Sequence, residues 1–235
     1  EHLKALGLSL SLSIACTILC LLIAYPLAMI LKKSGMGKKG FVVFIFILPM
    51  WMNFLLRTYS WMAILENNGL LNQLFRKIGV IALYNSIFGT DISFFRMINT
   101  QGAVVLGMVY NYLPFMILPI YSVIVKLDRN LIEAARDLGA NSVQVFRRVI
   151  LPLSLPGVLS GITMVFVPAV STFVISRMLG GGSNLLIGDL IEMQFLGNSY
   201  NLNVGSAMSL VLMIIVLLCM SFTSSFDEDE MEGVS

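Results

Sequence analysis

The stretch ALGLSLSLSIACTILCLLIAYPLAMIL at 5 to 31 carries no charged residue. It exceeds the roughly 20 apolar residues that a helix needs to cross a bilayer, and it is not alone. Charge-free runs recur at 40 to 56, 97 to 125, 149 to 176 and 193 to 226. Across 235 residues, 57% are hydrophobic and 12% charged, against roughly 45–50% and about 25% in soluble domains. With a mean hydropathy of +0.89, these values exclude a soluble globule, a disordered chain and a secreted disulfide scaffold. The expected class is all-α, a polytopic transmembrane helical bundle, with helices at about 7–31, 41–65, 102–125, 155–178 and 204–222 forming a membrane domain over 1–226.

Orientation follows from where Lys and Arg fall, since basic residues concentrate in cytoplasmic loops. Lys32, Lys33, Lys38 and Lys39 lie between the first and second spans, and Lys126, Arg129, Arg136, Arg147 and Arg148 between the third and fourth. The intervening 66–101 segment holds only Arg76, Lys77 and Arg96, and the 179–203 connection holds Arg or Lys nowhere. The rule puts the two basic loops and the carboxyl end in the cytoplasm and the amino end outside, which with no initial Met suggests that something precedes residue 1. The first run is too long for the apolar core of a signal peptide and lacks a basic flank, so it is read as a span. The 227–235 tail, with five carboxylates, reads as a solvated cytoplasmic end.

Within the spans the ionisable residues are few. Arg57 is expensive in hydrocarbon unless it snorkels to the interface or faces a polar interior, and interfacial snorkelling is the expectation. Pro26, Pro49, Pro114, Pro119, Pro156 and Pro168 each remove a backbone hydrogen bond and tend to kink a helix, which suits a moving pathway and is also common in static bundles. Gly157 and Gly161 form a GxxxG read as tight packing within the bundle. Gly180, Gly181 and Gly182 with Ser183 read as a hinge or a solvent-facing loop. Cys16, Cys20 and Cys219 sit inside apolar runs as small hydrophobes, and His2 is terminal, so no metal-ligand spacing and no catalytic dyad is visible. No fixed-period repeat is apparent, and the net charge of +2 gives no reason to expect nucleic acid as a partner.

The polar loop at 126–154, KLDRNLIEAARDLGANSVQVFRRVILPLS, is where function becomes legible. Asn130 can cap a short helix with Glu133 completing a capping-box pattern, and Leu131, Ala135 and Leu138 then share a face. Gly139 suits the positive φ that ends such a helix. Asn141 or Ser142 can cap a second helix in which Val143, Phe146 and Ile150 line one side, and Pro152 is expected to stop it before the fourth span. The product is a helix-turn-helix knob, apolar on one face and charged on the other. It fits either a partner groove, approached through Ala134 and Ala135 with Glu133 at the rim, or the headgroup region, favoured by Arg147 and Arg148.

Glu133, Ala134, Ala135, Gly139, Leu151 and Pro152 reproduce the EAA-x3-G-x9-I-x-LP loop of permease subunits of bacterial ABC importers, with Val149 in place of isoleucine. Beyond the motif, the chain resembles the B-type permeases of spermidine/putrescine transport through LPMWMNFLLRTYSW at 48 to 61, GMVYNYLPFMILPIYSVIVKLD at 107 to 128 and MLGGGSNLLIGDLIEMQFL at 178 to 196. The resemblance implies a six-helix subunit of the bacterial inner membrane, so that one amino-terminal span would be missing from the five counted. The acidic tail departs from it.

The same resemblance implies that the loop docks into a cleft of a cytoplasmic ATPase, with Glu133 and the alanines as docking surface, Gly139 as turn and Leu151 with Pro152 as re-entry. The implied partners are two ATPase subunits, which would hold the ATP and magnesium, a second homologous permease and an extracytoplasmic solute-binding protein. The chain itself has no GxxxxGK[ST]; SGMGKKG at 34 to 40 has the wrong spacing, so no ATPase site, enzyme activity or cofactor of its own is expected. A polyamine path calls for aromatic faces and carbonyls, for which Trp51, Asn53, Tyr59 and Tyr110 are the candidates, each also readable as belt or packing residues. Asp189 and Glu192 read as solvated carboxylates on the outer connection. Two alternatives stay open: an ABC permease for another small organic solute, and a gradient-driven secondary transporter, which normally shows paired ionisable residues deep in its spans. An intramembrane enzyme ranks last, because His, Asp and Glu are missing from span centres.

Overall fold

A run of apolar residues in lipid must satisfy its own backbone, and a helix does this within one segment. In a computed structural model, which describes residues 2–33, 46, 48–182, 185–197 and 200–232 (in the last helix, side chains through 221 and at 223), the regular structure among the described residues is helical. Helix α1 runs His2–Lys33, α2 Phe54–Leu65, α3 Leu70–Ile78, α4 Val80–Phe88, α5 Gln101–Lys126 and α6 Arg129–Asp137. A single turn α7 at Ser142–Val145 leads through a π-helical turn, Phe146–Ile150, into α8 at Leu151–Val170, followed by α9 Val174–Gly180, α10 Ile187–Leu196 and α11 Leu202–Glu232. Four stretches among the described residues are long and apolar enough to cross a membrane: His2–Lys33, Gln101–Lys126, Ser142–Val170 and Leu202–Ser221.

Two of the expected spans are not single helices. Of 41–65, residues 41–45 and 47 lie outside the described residues, as does SGMGKKG at 34–40. The rest is a 3₁₀ turn at Leu48–Trp51, a break, and α2, which alone rises only about 18 Å. The break has local causes: Pro49 lacks an N–H, and Asn53 starts a fresh helix by accepting the Leu55 amide at 2.8 Å. The helix expected over 155–178 begins earlier and ends at Val170, with α9 taking over at Val174. Gly188 fills this second interruption: a Cβ there would lie 2.6 Å from the Thr172 carbonyl oxygen and 2.8 Å from that of Ser171. The last helix continues past 222 into the acidic segment, whose side chains lie outside the described residues.

The chain divides into two compact units. One comprises Glu1–Cys16, Met50–Asn111 and Ala169–Met208. In it the Ile187 amide donates to Ser9 Oγ of α1 at 2.8 Å, and Gly107 of α5 lets α9 approach, since a Cβ there would be 2.4 Å from Leu179 Cδ1. Buried Asn72 ties the 66–98 segment together by donating to the Glu66 and Phe95 carbonyls and accepting the Phe95 amide at 2.9 Å.

The other unit comprises Thr17–Pro49, Tyr112–Pro168 and Ser209–Ser235. Here the GxxxG of α8 packs on α5: a Cβ at Gly157 would lie 2.9 Å from the Pro119 carbonyl oxygen and from Val123 Cγ2, and one at Gly161 2.7 Å from Met116 Sδ. This is intrabundle packing, as the sequence suggests. Along its part of α1 the small residues Cys20, Ala24 and Ala28 are buried on one face, while Ile18, Leu22 and Ile30 are exposed on another.

Candidate functional site

The knob forms where the sequence places it, with different caps. Asp128, not Asn130, caps α6, its carboxylate accepting the Asn130 amide at 2.9 Å. Starting one residue pair earlier removes Glu133 from any capping box and leaves it exposed. At the other end Gly139 takes φ +82°, its amide donating to the Arg136 carbonyl at 2.8 Å while the Ala140 amide reaches back to Ala135 at 3.1 Å. This pair of bonds is the Schellman closure, which a left-handed residue makes possible. Asn141 then caps α7 in a reciprocal box, Asn141 accepting the Gln144 amide and Gln144 the Asn141 amide, both at 2.9 Å.

The apolar faces also differ from expectation. Leu131 and Val143 are exposed, and Leu138 is 89% exposed, whereas Ala135 is half-buried and Val145, not Val143, is buried. The knob thus presents Leu131, Leu138, Val143, Glu133 and Ala134 outward, a mixed apolar and acidic surface. Pro152 does not stop the second helix. The π turn ends with the Leu151 amide bonded to the Phe146 carbonyl, one residue further back than in an α-helix. Pro152 follows directly in the continuing helix, and the wider turn before it gives its ring room against the carbonyl one turn back. Leu151 and Pro152 are exposed there.

Tyr25, which the sequence reading leaves unremarked, holds the base of the knob to α1. Its ring meets Phe146 edge-on at 5.6 Å, and its hydroxyl is 2.7 Å from Ser154 Oγ. Ser154 spends its own proton on the Leu151 carbonyl at 2.9 Å, so Tyr25 is the donor. The signal available in sequence was a tyrosine interrupting an otherwise aliphatic run, which needs a polar partner when buried.

In the other unit the aromatic candidates are not brought together as one cluster. Tyr110 pairs with Trp61, which the sequence reading passed over, at 5.3 Å between ring centroids and 67°. Trp51 is 75% exposed, Tyr59 is exposed on α2, and Asn53 is engaged as the α2 cap. Two ionisable residues are corrections. Arg57 does not snorkel: it is buried, and its Nε has no hydrogen-bond partner among the described residues. Buried Asn111 donates to the Gly107 carbonyl at 2.9 Å, and its Oδ1 is likewise unpartnered among the described residues.

Asp189 is not a solvated carboxylate but 1% exposed. Its Oδ2 accepts the Leu186 amide at 2.9 Å and lies 2.7 Å from Ser176 Oγ, which is also 2.8 Å from the Phe173 carbonyl. Burial pushes the carboxyl above its ordinary range, against the opposing pull of Ser176, the Leu186 amide and Arg177. The Ser176 hydroxyl thus faces two acceptors, and Asp189 Oδ1 has no hydrogen-bond partner among the described residues. Glu192 is paired with Arg177, both carboxylate oxygens accepting from the guanidinium.

Residues 8–227 match the family model described as binding-protein-dependent transport system inner membrane component. The chain is 43% identical over 210 residues to the spermidine/putrescine transport system permease protein PotB of Haemophilus influenzae, covering 89% of this chain and 70% of that protein. It is 41% identical over 208 residues to PotB of Escherichia coli, covering 88% and 72%. Among solved structures it superposes on the MetNI methionine ABC transporter in inward-facing form with a TM-score of 0.63 at 19% identity, covering 97% of this chain and 95% of that one. It also superposes on a bacterial alginate ABC transporter, solved with an alginate pentasaccharide-bound periplasmic protein, with a TM-score of 0.68 at 16% identity over 94% and 76%. These two likenesses establish the fold. The family match and the relatives establish the rest: this chain belongs to the binding-protein-dependent transport system inner membrane components and is a transporter subunit.

Proposed function

We propose that this chain is the membrane-spanning permease subunit of an ATP-driven polyamine importer, with spermidine or putrescine as cargo. The observation that carries it is the knob: Glu133, Ala134 and Gly139 sit on a capped, outward-facing helix-turn-helix in a chain 43% identical to a spermidine/putrescine permease. An exposed apolar tip rimmed by a carboxylate is suited to a groove on another protein. On this reading the loop and the carboxyl end are cytoplasmic, and two ATPase subunits holding ATP and magnesium grip the knob. A second homologous permease completes the path, and an extracytoplasmic binding protein delivers cargo.

Closure of the ATPases would move the knob as a lever. The lever is stiff because α7, the π turn and α8 form one continuous helical arm, braced by Tyr25 through Phe146 and Ser154. Cargo ammonium groups would meet the faces of Trp51, Tyr59 and Tyr110, contacts weak enough singly to allow release. The test is reconstitution of the complete transporter in liposomes with labelled spermidine. ATP-dependent uptake competed by putrescine and not by unrelated solutes is the expected result; competition by an unrelated solute instead would replace the cargo. Uptake that needs no ATP and follows an ion gradient would replace this reading with a secondary transporter.

A further inference from the structure

At the base of the knob, within one unit, lies a pocket of about 580 Å³, inside the range of roughly 300–1,000 Å³ usual for ligand sites. Four cations line it: Lys32 and Lys33 from the last turn of α1, and Arg129 and Arg136 from α6. Its lone lining carboxylate is Glu133, so the formal charge around it is strongly positive. Among the described residues the ion pair within 4 Å is Arg177–Glu192, elsewhere in the chain, so none of the four is neutralised by a described carboxylate. Lys32 reaches the Leu127 carbonyl at 3.4 Å and stands close enough to Arg129 for the two charges to repel. Converging like charges around a cavity are stable when an anion occupies it.

Apart from Ser142 the remaining wall is apolar, including Met29, Ile30 and Ile124, and Ile30 is 61% exposed. Lys32 and Lys33 end a 32-residue apolar helix, the position from which ammonium groups reach lipid phosphates while their stems lie along hydrocarbon. From this geometry we propose that the pocket is a site for the phosphate of an anionic phospholipid headgroup, with the glycerol and upper acyl chain along the Met29 and Ile30 wall. The acyl-facing wall is what commits the site to a lipid and not to a free phosphate. A bound headgroup would tie the end of α1 to the knob helix, bracing the lever at its root. The inference rests on the proposed cytoplasmic placement of the loop and on no assumption about cargo.

The experiment is native mass spectrometry of the assembled transporter released from membranes of equal phosphatidylglycerol and phosphatidylcholine, with glycerol 3-phosphate as a soluble competitor. Wild type is expected to retain phosphatidylglycerol preferentially, uncompeted by millimolar glycerol phosphate. Each charge removed should weaken retention about fivefold, so Lys32→Gln with Arg129→Gln should lower it about 25-fold. Lys4→Gln with Lys77→Gln, removing two exposed charges elsewhere, should leave it unchanged. Equal retention of the two lipids by wild type overturns the proposal without any variant having to fold, as does displacement by glycerol phosphate or an unaltered preference in an assembled Lys32/Arg129 double variant. Since the readout is lipid and not uptake, a wrong cargo would leave it untouched.

Discussion

Gly139 is the residue on which the knob can be tested most sharply. Its φ of +82° lies where L-residues are strained, yet a Cβ built there meets nothing within 4 Å. The cost of substitution is therefore backbone strain alone. For alanine that is about 1–2 kcal/mol, less for asparagine, whose side chain can hydrogen-bond locally, and more for a β-branched residue. If only the Schellman-closed turn presents Leu138 and the Glu133 face correctly, Gly139→Ala should weaken ATPase docking about 5- to 30-fold. Gly139→Val should be worse and Gly139→Asn mildest. The assay is cargo-stimulated ATP hydrolysis titrated against ATPase subunit, with thermal unfolding as control, since an exposed turn contributes little to the global transition. Asparagine is larger than alanine, so an order that follows side-chain size, Val and Asn both worse than Ala, would refute the reasoning.

Three further outcomes are expected. Glu133→Lys should reduce uptake more than tenfold while insertion and thermal midpoint stay as in wild type, because like charges across a docking rim cost several kcal/mol; uptake and ATPase copurification are the measurements. Asp189→Asn should keep the fold with its oxygen in the Oδ2 position, where it still accepts from Ser176 and from the Leu186 amide. The raised carboxyl pKa means that the folded chain holds a proton the unfolded chain has lost, so wild-type stability falls as pH rises through that window, and asparagine should flatten this slope in unfolding scans in detergent. Gly157→Ala should lower stability by about 1–3 kcal/mol, because its Cβ would press on the Pro119 backbone oxygen, and Gly161→Ala by less, because the flexible Met116 sulfur can yield. Equal midpoints for the two glycine variants would contradict that distinction.

The helical class and the knob could be read from the sequence because both rest on local physics: apolar length sets a span, and a left-handed glycine sets a turn. Gly139 and Asn141 behave as their chemistry dictates. The errors fall where local rules compete or where tertiary contacts decide. Two residues could cap α6, and the earlier one, Asp128, takes the position. Val143 and Val145 are interchangeable as valines, and only the packing chosen by the π turn buries the second. Sequence alone favours the interface for Arg57 and water for Asp189, while the burial of both is decided by neighbours of α2 and α10 whose positions no single-sequence pattern contains. The Trp61–Tyr110 pair joins residues 49 positions apart, a separation that no local pattern links.

The five-residue turn at Phe146–Ile150 carries a further consequence. Its wider winding takes up one surplus residue within a single turn, so the hairpin before it and α8 after it keep nearly the bearing that an unbroken α-helix would give them. Deleting one residue inside this turn should therefore restore ordinary winding with Leu138 and Glu133 still facing the same way, whereas deleting one from the regular part of α8 would rotate everything before it by about 100°. The wide turn thus works as a slip joint at the root of the handle, absorbing a change of length that elsewhere in the helix would become a change of direction.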